Sequence, residues 1–488
     1  MKKHLLSLCL VLFAFSVIAQ PKLNTGVVLP KKTSAEKAYL LDDESYFVYA
    51  QSATHKIGSN LNLINSYKME IDYRYDYIGA CDNDENVFNF FTFSDNKANS
   101  YGLYVDKQSK KGNAYKFAPK KVVTIPLENK DKVASYFAKS EDGSKIAFSM
   151  LLTDKKSVIK GIYTIVMDNS GEVMWKNTQD ISFENSTIYI HDMAISNSGE
   201  VYFASISRNI NNRGNIADSE TCVLMKIDEN GNEILSQNVE FGYVNSINLK
   251  ILKNGNIFMT GYYSKEVKDN AIGLFSMFYD TKTETLGEFT LRNLEKFVTD
   301  KKGGNLLAGM RSNSSFTLIC RDIYELENGN IVLLGEQKLV FTVRDQSGTY
   351  YVHHYKDIFY HQFSPTGEEV QFQKVDKYET YTSSYSTTIR TFNSFQAKND
   401  IYFLYTDIEA NHSKSKPEVV RPFAANNLVK ACTVVAKISD DSSLTTKVIN
   451  KRTETKQLYS GLLYNNDNHA LLLFYDLKSN HYIRKLTF

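Results

Sequence analysis

The chain has 488 residues, with 57 basic and 55 acidic side chains and a single tryptophan against 32 tyrosines and 29 phenylalanines. So even a charge, with no clustered basic excess, excludes a nucleic-acid binder. Tyrosine and phenylalanine in this abundance favour strands over helices.

The first residues predict export. Met1-Lys2-Lys3-His4 is basic, and Leu5 to Ala19 is apolar apart from Ser7 and Ser16. Val17 and Ala19 occupy the two cleavage-recognition positions before Gln20. This is the pattern of a signal peptide over residues 1–19, cleaved after Ala19. A spanning helix needs about 20 apolar residues, and this run is shorter and meets Gln20-Pro21. Cys9 lies too early for a lipoprotein cut. The expected location is therefore the periplasm, the medium or the cell surface, with no integral membrane span in the mature chain. Lys2 and Lys3 leave with the leader, so the mature chain sets 55 basic residues against 55 acidic ones.

Beyond the leader a repeat runs to the end of the chain. Its unit is a polar turn followed by a short apolar strand. Asp42-Asp43-Glu44 precedes Tyr46 to Tyr49, and Asp82 to Asn86 precedes Val87 to Phe90. Glu141-Asp142-Gly143-Ser144 leads into Lys145 to Met150, and Asn197-Ser198-Gly199-Glu200 into Val201 to Ser205. Lys253-Asn254-Gly255-Asn256 leads into Ile257 to Gly261, and Glu327-Asn328-Gly329-Asn330 into Ile331 to Gly335. Weaker copies are Lys398-Asn399-Asp400 before Ile401 to Leu404, and Asn465 to Asn468 before Ala470 to Phe474. Asp-Gly and Asn-Gly supply the positive φ of a tight turn, and a continuous apolar run suits a strand covered on both faces. Gly143, Gly199 and Gly255 are each 56 residues apart, and Gly329 follows after 74, so the last interval carries an insertion.

A second hairpin follows several units. Tyr163 to Met167 turns through Asp168 to Glu172 into Val173-Met174-Trp175, and Val223 to Ile227 turns through Asp228 to Asn232 into Glu233 to Leu235. Tyr360 to Phe363 turns through Ser364 to Gly367 into Glu368 to Phe372. A further strand, such as Ile188 to Ala194, bridges to the next unit. Four strands per repeat and no helix predict an all-β chain of propeller blades. Asp168, Gly171 and Trp175 give the Asp-x-x-Gly turn with a Trp beyond it, and in this the chain resembles the WD40-like and quinoprotein-like propellers. Over roughly residues 40–488 it looks like a group of exported bacterial propeller proteins. The resemblance implies a fold. The other copies lack the Trp, so no quinone cofactor is carried over.

The expected organisation is one domain over residues 20–488, with an insertion near 287–316. It is a β-propeller of seven or eight four-stranded blades, closed by pairing of N- and C-terminal strands. The last copy, ending at Phe488, is one strand short, and a strand near Thr25 to Leu29 or Tyr39 to Leu41 would complete it. Closure satisfies the free edges that an open ring leaves.

Candidate sites are few. Leu291 to Val298 has helical spacing, and a long insertion is a place where binding resides. Adjacent side chains on a strand point to opposite faces, so His353 and His354 do not share a metal. His353 and His361 share a face only if one strand runs through both. Asp82 to Glu85 and Asp440-Asp441 are acidic turns without the spacing of a calcium loop. Tyr378 to Tyr385, rich in tyrosine and hydroxyls, reads as a loop suited to protein or glycan contacts. Cys81, Cys222, Cys320 and Cys432 lie in or beside apolar runs and read as buried free thiols, the alternative in an exported chain being one long-range bridge. No Gly-x-Ser-x-Gly, His-Glu-x-x-His or Gly-x-x-x-x-Gly-Lys signature occurs. No catalytic residue, metal ligand or cofactor site is therefore assigned. The expected function is a non-enzymatic binding scaffold that engages an envelope or extracellular protein or glycan through one propeller face. The alternative is a propeller enzyme acting on glycans or peptides.

Overall fold

The computed structural model describes residues 21–488 except 25, 31–34, 51–52, 69–73, 96, 112–115, 129–130, 155–158, 180–185, 211–215, 267–270, 299–316, 346–347, 384–390, 413–424, 440, 442 and 477. The signal-peptide reading lies outside these residues.

The described strands form eight antiparallel sheets in chain order. Blade 1 runs over residues 35–68, blade 2 over 75–126, blade 3 over 132–179 and blade 4 over 186–239. Blade 5 spans 243–293, blade 6 317–383 and blade 7 392–451. Blade 8 takes three strands from 457–487 and its outermost position from the other end of the chain. There Lys22 pairs with Thr487 and Leu23 with Leu486, and Val27 pairs with Ile483 and Val28 with Tyr482. The ring is closed as expected, with eight blades. The completing segment is Lys22–Val28, whereas Tyr39 to Leu41 ends the innermost strand of blade 1.

What holds the ring is a hydrophobic seam between each pair of neighbours. Among the described residues there are eight such clusters, one per blade interface. Phe148 and Ile165 of blade 3 meet Phe88 and Phe90 of blade 2, and Met259 and Phe275 of blade 5 meet Ile206 and Leu224 of blade 4. Leu473 and Ile483 of blade 8 meet Tyr46 and Val48 of blade 1, which completes the circle. The continuous apolar runs seen in the sequence are the second strands of the blades, flanked by a seam on each side. Tyr46–Ala50 and Ile257–Ser264 are buried at every position.

The seam between blades 1 and 2 is built from aromatic rings. Tyr49 lies 5.1 Å from Tyr77 and 5.8 Å from Phe91, centre to centre, and the Tyr39 hydroxyl donates to Asn89 Oδ1 at 3.0 Å. Tyr39, Tyr49, Tyr67, Tyr75, Tyr77 and Tyr104 all lie in this seam.

The first strand of each blade is an edge facing the axis, so its free N–H groups need partners. Side chains of adjacent blades supply several. Glu220 accepts from the Val244 N–H at 2.7 Å, Asp192 from Leu249 at 2.9 Å, Ser246 Oγ from Cys320 at 3.0 Å and Glu325 from Lys253 at 2.7 Å. Burial lifts the Asp192 carboxyl to about 6, against the pull of the Leu249 and Met193 amides. Asp192 and Glu325, on first strands, and Glu220, on the third strand of blade 4, join blades together.

Antiparallel order gives the ring two unlike faces. The first-to-second and third-to-fourth strand turns share one end, here the turn face. They hold the left-handed glycines Gly143, Gly171, Gly199, Gly255, Gly329 and Gly367. The second-to-third strand hairpins and the links between blades share the other end, the loop face.

Candidate functional site

The described parts of the insertions lie on the loop face: Thr290–Asn293 and Glu295–Val298 in blade 5, the long hairpin of blade 6, and the short helical turns Glu409–His412 and Ala425–Lys430 in blade 7. In blade 6 the strands Ile331–Asp345 and Gly348–Phe363 run well past the sheet. Glu379–Ser383 pairs alongside, from Tyr355↔Glu379 to Tyr351↔Ser383, and makes a three-stranded extension. This corrects the reading of Tyr378 to Tyr385 as a loop. Thr380 and Thr382 flank Tyr381, and such residues favour a strand once a partner edge is available. In the insertion near 287–316, Thr290–Asn293 is a strand on blade 5 and only Glu295–Val298 is helical, so the helical spacing from Leu291 was read too long. The rest of it, 299–316, lies outside the described residues.

At the base of the extension sits a buried ionic cluster. The Glu336 carboxylate accepts from Arg321 Nε at 2.8 Å and from its Nη2, from Lys377 Nζ at 2.7 Å, and from the Thr391 hydroxyl. Glu336 and Lys377 are 0% and 1% exposed. Burial drives the Glu336 carboxyl up, but Lys377 and Arg321 outweigh it and hold the group below its ordinary value. Arg321 is the bulged residue of the first strand of blade 6, which turns its side chain out of the regular ladder. The cluster thereby ties that strand, the extension and the entry to blade 7 into one unit.

Beside it stands Glu379. One carboxylate oxygen, Oε2, is 3.7 Å from Lys377 Nζ and makes no hydrogen bond among the described residues. Burial lifts its carboxyl from 4.5 to about 7, against the attraction of Lys377 and with the repulsion of Glu336 and Asp407. On the same side of the extension, the His353, Tyr355 and Tyr381 rings lie parallel within 5°, with His353 and Tyr381 4.6 Å apart.

The three histidines can now be placed. His353 and His354 point to opposite faces, as expected: His353 stacks on Tyr381, and His354 Nδ1 meets the Tyr378 hydroxyl at 3.0 Å. One strand does run through His353 and His361, but two residues of it, Lys356 and Asp357, oppose the single Gln337. That bulge turns His361 to the blade 5 side, where it meets Glu369 at 2.7 Å and packs by Tyr262. The described residues hold no group of three or more metal-ligating side chains. Asp82 to Glu85 is an ordinary turn, with Asn83 Oδ1 accepting from the Glu85 and Asn86 amides. Asp441 accepts from the Ser443 amide, and Asp440 lies outside the described residues. Cys81, Cys222 and Cys320 are free thiols pushed by burial to about 12, and Cys432 is free and raised for the same reason. Arg321, Glu336, Lys377 and Thr391 were not singled out by the sequence reading. The one signal was Glu336-Gln337-Lys338, charge and amide breaking an apolar run.

Fold and site together define an eight-bladed all-β propeller with one face built up by insertions. No family model and no curated protein matches the chain. Among solved structures it is similar to the β-propeller domain of the Trilobed protease from Pyrococcus furiosus, at 11% identity over 85% of this chain and 94% of that one, TM-score 0.34. It is similar to the polysaccharide lyase Uly1 at 12% identity over 87% and 94%, TM-score 0.34. It is also similar to a protein of unknown function from Bacteroides caccae at 9% identity over 67% and 90%, TM-score 0.30. Similarity at this level assigns no activity to the chain.

Proposed function

We propose that the chain is an exported, non-enzymatic binding scaffold that takes an envelope or extracellular protein or glycan on its loop face. The observation that carries this reading is the gathering of the insertions of blades 5, 6 and 7 on that face, beside an aromatic ladder. A rigid ring bearing elaborated loops on one side is the usual arrangement of a recognition surface. The second reading, an enzyme acting on glycans or peptides, draws on one group. Glu379, with its carboxyl near 7 and one oxygen free of hydrogen bonds, has the protonation range of a general acid or base. The test presents envelope glycans and envelope proteins to the mature chain, to a variant with the extension trimmed between 339 and 354, and to Glu379→Gln. Retention of a ligand by the parent and its loss on trimming supports the scaffold. Turnover of a bound polymer, abolished in Glu379→Gln, overturns it in favour of the enzyme.

A further inference from the structure

The turn face carries a separate cavity of about 740 Å³ where the first strands of blades 3, 4 and 5 end. Its floor is apolar, from Met193, Leu249 and Leu252. Its rim alternates charge: Lys139, Glu141 and Asp142 from blade 3, Glu200 from blade 4, and Lys250 and Lys253 from blade 5. By formal charge the rim is neutral, so the question is which groups are already engaged.

The acceptors are engaged. Glu141 is ion-paired to Lys250. Asp142 accepts from the Ser144 amide at 2.9 Å and from the hydroxyls of Ser140 and Ser144 at 2.7 and 2.9 Å. Glu200 holds Lys226 at 2.9 Å and the Ser198 hydroxyl at 3.0 Å. The donors are not. Lys139 makes no ion pair or hydrogen bond among the described residues. Lys253 Nζ has only the Leu326 carbonyl at 3.5 Å. Asn197 uses its carbonyl oxygen on the Asp142 amide at 3.3 Å, which leaves its NH₂ group without an acceptor. The Asn197 amide, the Lys139 ammonium and the remaining N–H groups of Lys253 amount to up to seven free N–H donors around one opening among the described residues.

We infer that this cavity is an anion site, taking a compact oxyanion group (carboxylate, sulfate or phosphate) between Lys139 and Lys253, with a half-apolar body over Met193 and Leu249. Ammonium groups bind oxyanions by charge-assisted hydrogen bonds, and an apolar floor rewards a ligand larger than the bare ion. A cationic ligand meets carboxylates already paired with Lys250 and Lys226 and is repelled by Lys139 and Lys253, and a neutral one leaves both ammonium groups unmatched.

The test is calorimetric titration of the mature chain at fixed ionic strength in chloride with inorganic sulfate, inorganic phosphate, glucuronate and glutamate. At least one of the four binds with one site per chain. Lys139→Gln and Lys253→Gln each weaken it at least ten-fold, and Lys437→Gln, whose ammonium pairs with Asp400 in blade 7 outside the cavity, leaves it unchanged. Glucuronate against glutamate separates a sugar-borne from an amino-acid-borne carboxylate, and the inorganic ions report the oxyanion pocket alone. The inference falls if none of the four binds, or if either glutamine variant at 139 or 253 binds as tightly as the parent. Thermal melts of the variants, matched to the parent, separate loss of binding from loss of fold.

Discussion

Glu379 shows how burial sets chemistry at a single residue. A carboxyl that ionises at 4.5 in the unfolded chain and near 7 in the folded one binds its proton more tightly when folded. Between those values the native state carries more protons than the unfolded state, so stability falls as pH rises. The swing is on the order of 3 kcal/mol. Glu379→Gln removes it, so the variant gains stability relative to the parent from pH 4.5 to 7. Denaturant unfolding of the pair across that range measures the gain, and parallel curves would contradict it. Asp192, at about 6, adds the same sign in the parent. His191, His354 and His469 oppose it: burial lowers each from 6.5 to about 4, so their contribution is lost as pH falls through that window. Only the difference between parent and variant isolates Glu379.

At the scale of elements, the tight turns were the most legible part of the chain, and for a definite reason. Where glycine fills the left-handed position, the copy stands out, as at Gly143, Gly199, Gly255 and Gly329. Two other copies place a different residue there, Glu44 at φ 59° in blade 1 and Lys398 at φ 55° in blade 7, and the turn Asn465 to Asn468 has no left-handed residue. Without the glycine a turn loses its mark in the sequence, which is why seven and eight blades could not be told apart from the turns. The extension of blade 6 was missed because its third strand is separated from its partners by the outer strand of the blade, so no local pattern joins them. The ionic cluster is scattered in the same way over residues 321, 336, 377 and 391. Glycine positions also differ in what they tolerate. At Gly171, φ is +83° and an added Cβ stands 3.0 Å from the Phe88 ring of blade 2. Gly461 has an unstrained φ and nothing within 4 Å. Gly171→Ala is expected to cost about 1–2 kcal/mol, and Gly461→Ala to be neutral or to stabilise by up to about 1 kcal/mol. Chemical denaturation ranks the two, and the reverse order would contradict the account.

At the scale of the whole molecule, the ring is circular although the chain is not. Seven seams join blades that are consecutive in sequence, and the eighth joins blade 8 to blade 1 through Tyr46, Val48, Leu473 and Ile483. The Tyr46 hydroxyl meets His469 Nε2 across this seam at 2.6 Å. Blade 8 is whole only because Lys22–Leu23 and Val27–Val28 cover its outer edge. This arrangement ties the free ends together, so the first and last blades are expected to unfold as one. Lys22 and Thr487 face each other across the closing pair and both are exposed, so cysteines placed there report on closure directly. The natural thiols do not compete, since Cys81, Cys222 and Cys432 are buried and Cys320 is largely so. In Lys22→Cys/Thr487→Cys, oxidation is expected to form an intramolecular disulfide at high yield. Closing so long a loop raises stability by up to about 6 kcal/mol over the reduced form in the chain-entropy estimate. If the two cysteines stay reduced under mild oxidation, or the oxidised monomer melts with the reduced one, the ring is not closed by its own termini.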